Sequence, residues 1–234
     1  MLSFITLAVS ISSLCLQQQA VAFSTPPATR TRTSHGTSKS TTARNAVQLP
    51  ELSMPNLFKS KDVRRSELKE QILTLASETK RGLTATDEQK EQMQTLFAEL
   101  EALNPTPNPL IANDKKASVN GDWSLDYTTS DSILGKGGFP RVGPIIQNID
   151  TTTLSAKNSE IVQYLLFPIP RSVSAELSPV NGKFTDVKFK RFQLGPIGFD
   201  APDSFRGSLD ITYLDEDVRL TRGDKGNIFV LTRM

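Results

Sequence analysis

A mainly β fold, an antiparallel β-barrel preceded by two α-helices, is what the sequence predicts, and three observations predict it. From about Val119 onward, short runs of alternating apolar and polar residues are punctuated by Gly, Pro, Asn and Asp turn signals. Ahead of them lie two stretches whose apolar residues recur at helical spacing. Roughly eight strands fall within ~115 residues, enough for a small closed barrel that leaves no sheet edge open and has room for one ligand.

The first helix is expected over Ser66–Lys80, where Leu68, Ile72, Leu75 and Ala76 share one face. Ser66 suits its N-cap, Lys80 and Arg81 its negative end, and Gly82 a left-handed stop. The second opens with a capping box, Thr86-Asp87-Glu88-Gln89, and carries a stripe of Met93, Leu96, Phe97, Leu100 and Leu103. Asn104-Pro105-Thr106-Pro107-Asn108-Pro109 ends it, because proline lacks a donor and disfavours helix before it. The polar face of the second helix is acidic, unlike that of a membrane-surface helix, so both stripes are expected to pack on the domain. The helices thus occupy 66–103 and the barrel 118–234.

Within the barrel, Trp123, Leu125 and Tyr127 alternate with Ser124, Asp126 and Thr128. Ile161–Phe167 reads as one apolar strand ended by Pro168 and Pro170. Val173, Ala175 and Leu177 alternate next, and Asn181-Gly182 predicts a two-residue hairpin turn. Val187, Phe189 and Arg191 are expected on the face opposite Lys188, Lys190 and Phe192. A C-terminal meander runs through Leu209-Ile211-Tyr213, Val218-Leu220 and Ile228–Leu231, with turns at Asp215-Glu216-Asp217 and Arg222–Asn227.

Charge and composition divide the chain. Residues 1–45 hold four basic residues (Arg30, Arg32, Lys39, Arg44) and no Asp or Glu. Taking those four from the 27 basic residues leaves 23 against 25 acidic ones, so the rest of the chain lacks the basic excess a nucleic-acid binder needs. Leu2–Leu16 is apolar but too short and too interrupted by Ser and Thr to span a bilayer, and Ala20-Val21-Ala22 is a small-x-small cleavage pattern. Residues 1–22 therefore read as a signal peptide, although no Lys or Arg precedes the apolar core. Residues 23–45 contain 11 Ser and Thr, the four cations and no acid; they read as a disordered transit peptide, with a linker over 46–65.

The only cysteine, Cys15, and the only histidine, His35, both lie in this leader. Its removal would leave no disulfide, no Cys/His zinc site and no Ser–His or Cys–His catalysis. A non-enzymatic protein without metal or cofactor is the expectation.

Three blocks resemble the plastid lipid-associated protein/fibrillin family. They are Arg81-Gly82-Leu83-Thr84-Ala85-Thr86 leading to Leu100-Glu101-Ala102-Leu103-Asn104-Pro105-Thr106-Pro107-Asn108-Pro109; Asn120-Gly121-Asp122-Trp123-Ser124-Leu125-Asp126-Tyr127-Thr128-Thr129; and Tyr213-Leu214-Asp215-Glu216-Asp217-Val218-Arg219-Leu220-Thr221-Arg222-Gly223-Asp224. With their spacing they cover 66–234. The resemblance implies a lipocalin-like barrel, residence in plastids at thylakoids or plastoglobules, and binding of lipids or prenyl-derived molecules. It also allows for an adaptor that binds a prenyl-quinone biosynthetic enzyme and handles its hydrophobic product. Gly121-x-Trp123 resembles the first-strand signature of lipocalins, in which a Trp closes the barrel beneath a late-strand Arg; Arg219 or Arg222 would supply that cation, worth ~0.5–2 kcal/mol. The leader resembles the bipartite signal-plus-transit sequences of algae with secondary plastids, such as diatoms.

The expected ligand-lining residues are Trp123, Leu125, Tyr127, Leu165, Phe189, Leu209, Ile211, Leu220 and Phe229, with Gly121, Asp215, Arg219 and Arg222 as structural residues. The same lining side chains could instead simply fill the core. Asp215-Glu216-Asp217 is too short for a calcium loop and reads as a turn in which Asp caps backbone donors. Gly135-Lys136-Gly137-Gly138 lacks the span and the Lys-Ser/Thr end of a phosphate loop and reads as a rim loop. Arg222-Gly223-Asp224 is a glycine-containing hairpin. Lys188, Lys190 and Arg191 fit a solvated strand face as well as contact with anionic headgroups.

Overall fold

The structure, a computed structural model, describes residues 60–111, 118–136 and 138–234. The expected signal peptide, the transit peptide, the linker up to residue 59 and Gly137 of the glycine loop lie outside the described residues. Helix α1 spans Lys61–Glu78 and starts a turn earlier than the sequence suggests. Its N-cap is Ser60, whose hydroxyl accepts from the Val63 amide at 3.3 Å, and Asp62 meets the positive end; Ser66 lies inside the helix. Residues 60–65 therefore belong to the cap and first turn and not to the linker.

Three consecutive left-handed residues, Lys80, Arg81 and Gly82, end the turn that follows α1. Only glycine fits the last position: its φ is +95°, and a Cβ there would stand 2.5 Å from the Thr128 carbonyl oxygen. That approach, with the Thr128 amide donating to the Arg81 carbonyl at 3.1 Å, fastens the end of α1 to the first strand. Helix α2, Asp87–Glu101, carries the predicted capping box: the Gln89 amide donates to Thr86 Oγ1 at 3.2 Å, and the Gln89 side chain accepts from the Thr86 amide at 3.0 Å.

Nine strands follow: β1 Gly121–Thr128, β2 Arg141–Asp150, β3 Ser155–Tyr164, β4 Phe167–Pro179, β5 Phe184–Leu194, β6 Ile197–Asp200, β7 Arg206–Leu214, β8 Val218–Gly223 and β9 Ile228–Arg233. A short helix, α3, Asp131–Leu134, separates β1 from β2. The sheet order is β4-β3-β2-β1-β9-β8-β7-β5, all neighbours antiparallel. Pairing of β4 with β5, from Arg171↔Leu194 to Pro179↔Thr185, closes the ring. The predicted eight-stranded barrel is thus present, and the ninth strand, β6, is a short addition folded back on the end of β5.

The helices lie against the outside of this barrel. Leu68, Ile72, Leu75, Ala76, Met93, Leu96, Phe97 and Leu100 form one apolar cluster with Tyr127, Tyr213, Val218, Leu220, Ile228 and Val230. The intervening side chains of the same strands point inward, where Trp123, Leu125, Ile145, Ile211, Leu214 and Leu231 form a second cluster. Ile149, Ala175, Leu177 and Val187 form a third. One wall of the barrel is therefore buried on both faces.

Several local expectations give way to turns and bulges. Ile161–Phe167 is no single strand: β3 ends at Tyr164, Leu165 and Leu166 make a hairpin turn, and Pro168 and Pro170 lie within β4. The β4–β5 loop runs over Val180–Lys183, longer than a two-residue turn, with Asn181 Oδ1 accepting from the Lys183 and Phe184 amides at 3.0 and 2.9 Å. Register shifts at Asp126, Lys190 and Thr212 each insert one residue and flip the faces beyond it. The shift at Lys190 puts Phe192 on the same face as Phe189, with the two rings 6.3 Å apart.

Phe97 sits at the centre of the helix–barrel contact, fully buried, with the Arg222 guanidinium 4.9 Å from its ring. Phe97→Ala should lower unfolding free energy by about 3–5 kcal/mol in urea titration; a loss below about 1 kcal/mol would mean that the helices contribute little to the barrel's stability.

Candidate functional site

The inward residues do not all pack against one another. At one end Trp123 is fully buried, its indole Nε1 donating to the Val119 carbonyl at 2.9 Å. Two guanidinium groups pack over its ring, Arg219 at 4.8 Å and Arg233 at 4.2 Å from the centroid. Gly121 starts β1 at φ +119° beneath Arg233, where a Cβ would meet Arg233 Nη1 at 3.3 Å. Of the two arginines proposed for this role, Arg219 fills it. Arg222 points out of the barrel and makes a two-pronged bond to Glu101, at 2.8 and 2.6 Å, over Phe97.

Arg219 is only 2 % exposed and has no carboxylate partner among the described residues. It donates to Gln147 Oε1 across the interior, while its Nε is unpaired; Gln147 in turn donates to Asn158 Oδ1 at 2.9 Å. Burial and the nearby Arg233 pull its pKa down to about 9, which still leaves it a cation at neutral pH. Further along the interior, Glu160 bridges Arg141, at 2.7 Å, and Arg171. Burial, with Arg171 adding repulsion, lowers the Arg141 pKa. Among the described residues, Arg219, Arg233, Arg141 and Arg171 thus set four guanidinium groups against the one carboxylate of Glu160.

The opposite stretch is apolar and open. On β4 and β5, Val173 faces Phe192, Ala175 faces Phe189 and Leu177 faces Val187. Phe189, Leu209 and Ala156 are half-buried beside the third cluster, and Phe192 stacks on Phe199 at 5.4 Å and meets Phe205 edge-on at 5.8 Å. Val173, Phe189, Phe192 and Leu209 thus remain half-exposed beside the buried Ala175, Leu177 and Val187, forming an apolar cup. A separate cleft of about 740 Å³ opens at the side of the barrel, where β1 and β2 part above the Ser124↔Ile146 pair. Leu73 and Ala76 of α1, Leu134, Pro140 and Ile145 line it, with Asp126, whose carboxyl is pushed up by burial and held by Thr232 Oγ1 at 2.6 Å.

With this geometry in view, the chain matches the PAP_fibrillin family model over residues 66–198 and 193–232. The chain belongs to the plastid lipid-associated protein/fibrillin family. It is 37% identical over 175 residues to "Probable plastid-lipid-associated protein 5, chloroplastic" of Arabidopsis thaliana, covering 73% of this chain and 70% of that one. It is 27% identical over 223 residues to "Plastid lipid-associated protein 2, chloroplastic" of Brassica campestris, at 71% and 68% coverage. To "Light-induced protein, chloroplastic" of Solanum tuberosum it is 26% identical over 220 residues, at 71% and 67% coverage. No solved structure matches.

Among the lining residues expected of this fibrillin, Trp123, Leu125, Ile211 and Phe229 belong to the inner cluster, and Phe189 and Leu209 to the open cup. Three do not line the interior. Tyr127 and Leu220 face the helices, and Leu165 is 78% exposed at a hairpin tip. The bulge at Asp126 turns Tyr127 outward. On β8 the apolar side faces the helices, so Arg219 and Thr221 face in. Sequence reading missed Gln147, the Arg141–Glu160–Arg171 cluster and Arg233; a charged residue inside a strand, such as Glu160 within β3, was the available signal. Lys188, Lys190 and Arg191 are each paired with a carboxylate, of Asp203, Glu176 and Asp200 respectively.

Asp215 holds the β7–β8 turn as expected, accepting from the Asp217 and Val218 amides at 2.9 and 2.8 Å. It also accepts from Tyr213 Oη at 2.6 Å and pairs with Lys69 of α1 at 2.9 Å. Burial raises its pKa, but the Tyr213, Lys69 and backbone bonds together outweigh that and leave it below the ordinary 3.8. Because the folded value is the lower one, this stabilisation is complete above the ordinary value and fades as pH falls through the folded one. Asp215→Asn should therefore cost about 1–3 kcal/mol at pH 7, and the gap from wild type should shrink as pH drops below about 4; a pH-independent gap would contradict the assignment.

For Arg219 the expectation is opposite in sign to that for a structural ion pair. Arg219→Met should leave thermal stability within about 1 kcal/mol of wild type or raise it, because an uncompensated buried charge is removed at similar volume. Arg219→Ala should cost about 2–4 kcal/mol through the cavity it leaves. Equal losses in both would show that the charge itself is stabilising.

Proposed function

We propose that this fibrillin is a plastid protein that binds a lipid or prenyl-derived molecule in its barrel, at the thylakoid or plastoglobule surface, by contact alone and without catalysis. The observation that carries this is the half-open apolar cup of Val173, Ala175, Leu177, Phe189, Phe192 and Leu209. Apolar walls that stay wet in the free protein gain ~25 cal/mol for every Å² that a hydrophobic ligand covers. The cationic and amide groups at Arg219, Gln147 and Asn158 lie beside this cup and suit the polar head of an amphiphile, while the wall suits its tail. The plastid names of the relatives support the compartment, and the transit-like composition of residues 23–45 agrees with it.

Displacement of a fluorescent fatty acid by unlabelled chains of increasing length tests this directly. Affinity should rise about fourfold per added methylene, from ~0.8 kcal/mol each, until the cup is full. Ala175→Trp, which fills the cup, should weaken binding at least ~10-fold. Organic extracts of the protein from plastid membranes should contain a stoichiometric lipid. Uptake indifferent to chain length and to Ala175→Trp, or a stoichiometric protein in place of lipid, would refute the proposal.

A further inference from the structure

One end of the barrel presents two hairpin tips that carry no charge. Residues 161–170, around the β3–β4 turn, and residues 192–199, around the β5–β6 turn, contain no Asp, Glu, Lys or Arg. They are neighbours: the Gly195 amide donates to the Pro170 carbonyl at 2.8 Å, and Arg171 pairs with Leu194. Of the twelve exposed large apolar side chains among the described residues, six gather here, namely Val142, Ile161, Leu165, Leu166, Phe167 and Ile197. At the outermost point Leu165, Leu166 and Phe167 are 78%, 87% and 68% exposed.

Folding does not ask for these residues. A two-residue turn favours Asn-Gly, yet Leu165 sits here at φ +52°, a conformation that disfavours any side chain with a Cβ. Water disfavours the next two side chains. What the tips do satisfy is the demand of hydrocarbon that exposed backbone groups find partners internally. Gln163 Nε2 donates to the Leu165 carbonyl at 2.9 Å, and Gln193 Nε2 caps the Gly195 carbonyl at 3.3 Å in the same way. Such self-capped, charge-free tips leave a protein partner few groups for a polar rim. Set back from them, Tyr164 and Phe139 pack edge-on at 5.0 Å, an aromatic pair suited to the headgroup layer.

No helix among the described residues is long and apolar enough to cross a membrane.

We infer that the β3–β4 and β5–β6 hairpin tips insert into a lipid surface, an inference that rests on the lipid-binding reading above. The tips then act as the contact through which the barrel reaches its lipid phase.

The test uses the full chain with Cys15→Ser and a single label site, Leu166→Cys at the tip or Thr152→Cys at the opposite end. Each carries an environment-sensitive fluorophore and is mixed with vesicles of neutral phospholipid. The label at 166 should turn apolar and be quenched by acyl-chain bromines, while that at 152 stays aqueous. Leu165→Ser/Leu166→Ser/Phe167→Ser should remove the tip's contribution, weakening vesicle binding of the barrel on the order of a hundredfold. Uptake of a fluorescent fatty acid in solution should be unchanged in this variant, so the rim can fail while the ligand-binding reading stands, and the reverse. A label at 166 that stays aqueous on every vesicle, or that turns apolar with rising protein concentration alone, overturns the inference; the second outcome would point to a second copy of the chain.

Discussion

Closure of the sheet by β4 against β5 is the constraint on which the rest of the molecule depends. Without that pairing the order β4-β3-β2-β1-β9-β8-β7-β5 is an open sheet with two unpaired edges. The register from Arg171↔Leu194 to Pro179↔Thr185 also decides what faces inward, setting Val173 against Phe192 and Ala175 against Phe189. These residues form the wall of the cup. The same two strands extend beyond the body of the barrel into the hairpins that bear Leu165–Phe167 and Ile197. One pairing thus creates both the interior and the apolar rim.

The two sides of the barrel wall answer to different demands. Against the helices, β1, β9, β8 and β7 bury Tyr127, Val230, Leu220 and Tyr213, and stability is concentrated there. With that work done outside, the interior is free to hold groups a packed core would exclude. Arg219, Gln147 and Asn158 cross it, and Glu160 holds two arginines. Burying Arg219 without a carboxylate costs stability, which its stacking on Trp123 offsets only in part. The partly polar interior is where this fold carries that cost.

Much of this was legible in the sequence where local chemistry is decisive. The capping box at Thr86, the left-handed Gly82, the turn at Asp215 and the indole at Trp123 could all be read from their neighbours. The face assignments failed where a strictly two-residue period was assumed: bulges at Asp126 and Lys190 each reversed what followed. Leu220 was misassigned for another reason. Where helices cover the outside of a barrel, an apolar strand position no longer distinguishes inside from outside. The Leu165-Leu166 turn was hidden because neither residue is a turn former.

The central claim is that a hydrophobic ligand lies within the barrel. Methyl NMR of the labelled protein, titrated with a long-chain fatty acid, tests it most directly. The account predicts saturable shifts at Ala175, Leu177, Val187 and Leu209, inside the ring, with Leu68, Ile72 and Leu100 under the helices unmoved. Shifts confined to the helix–barrel contact or the outer surface, with the inner methyls unchanged, would contradict it.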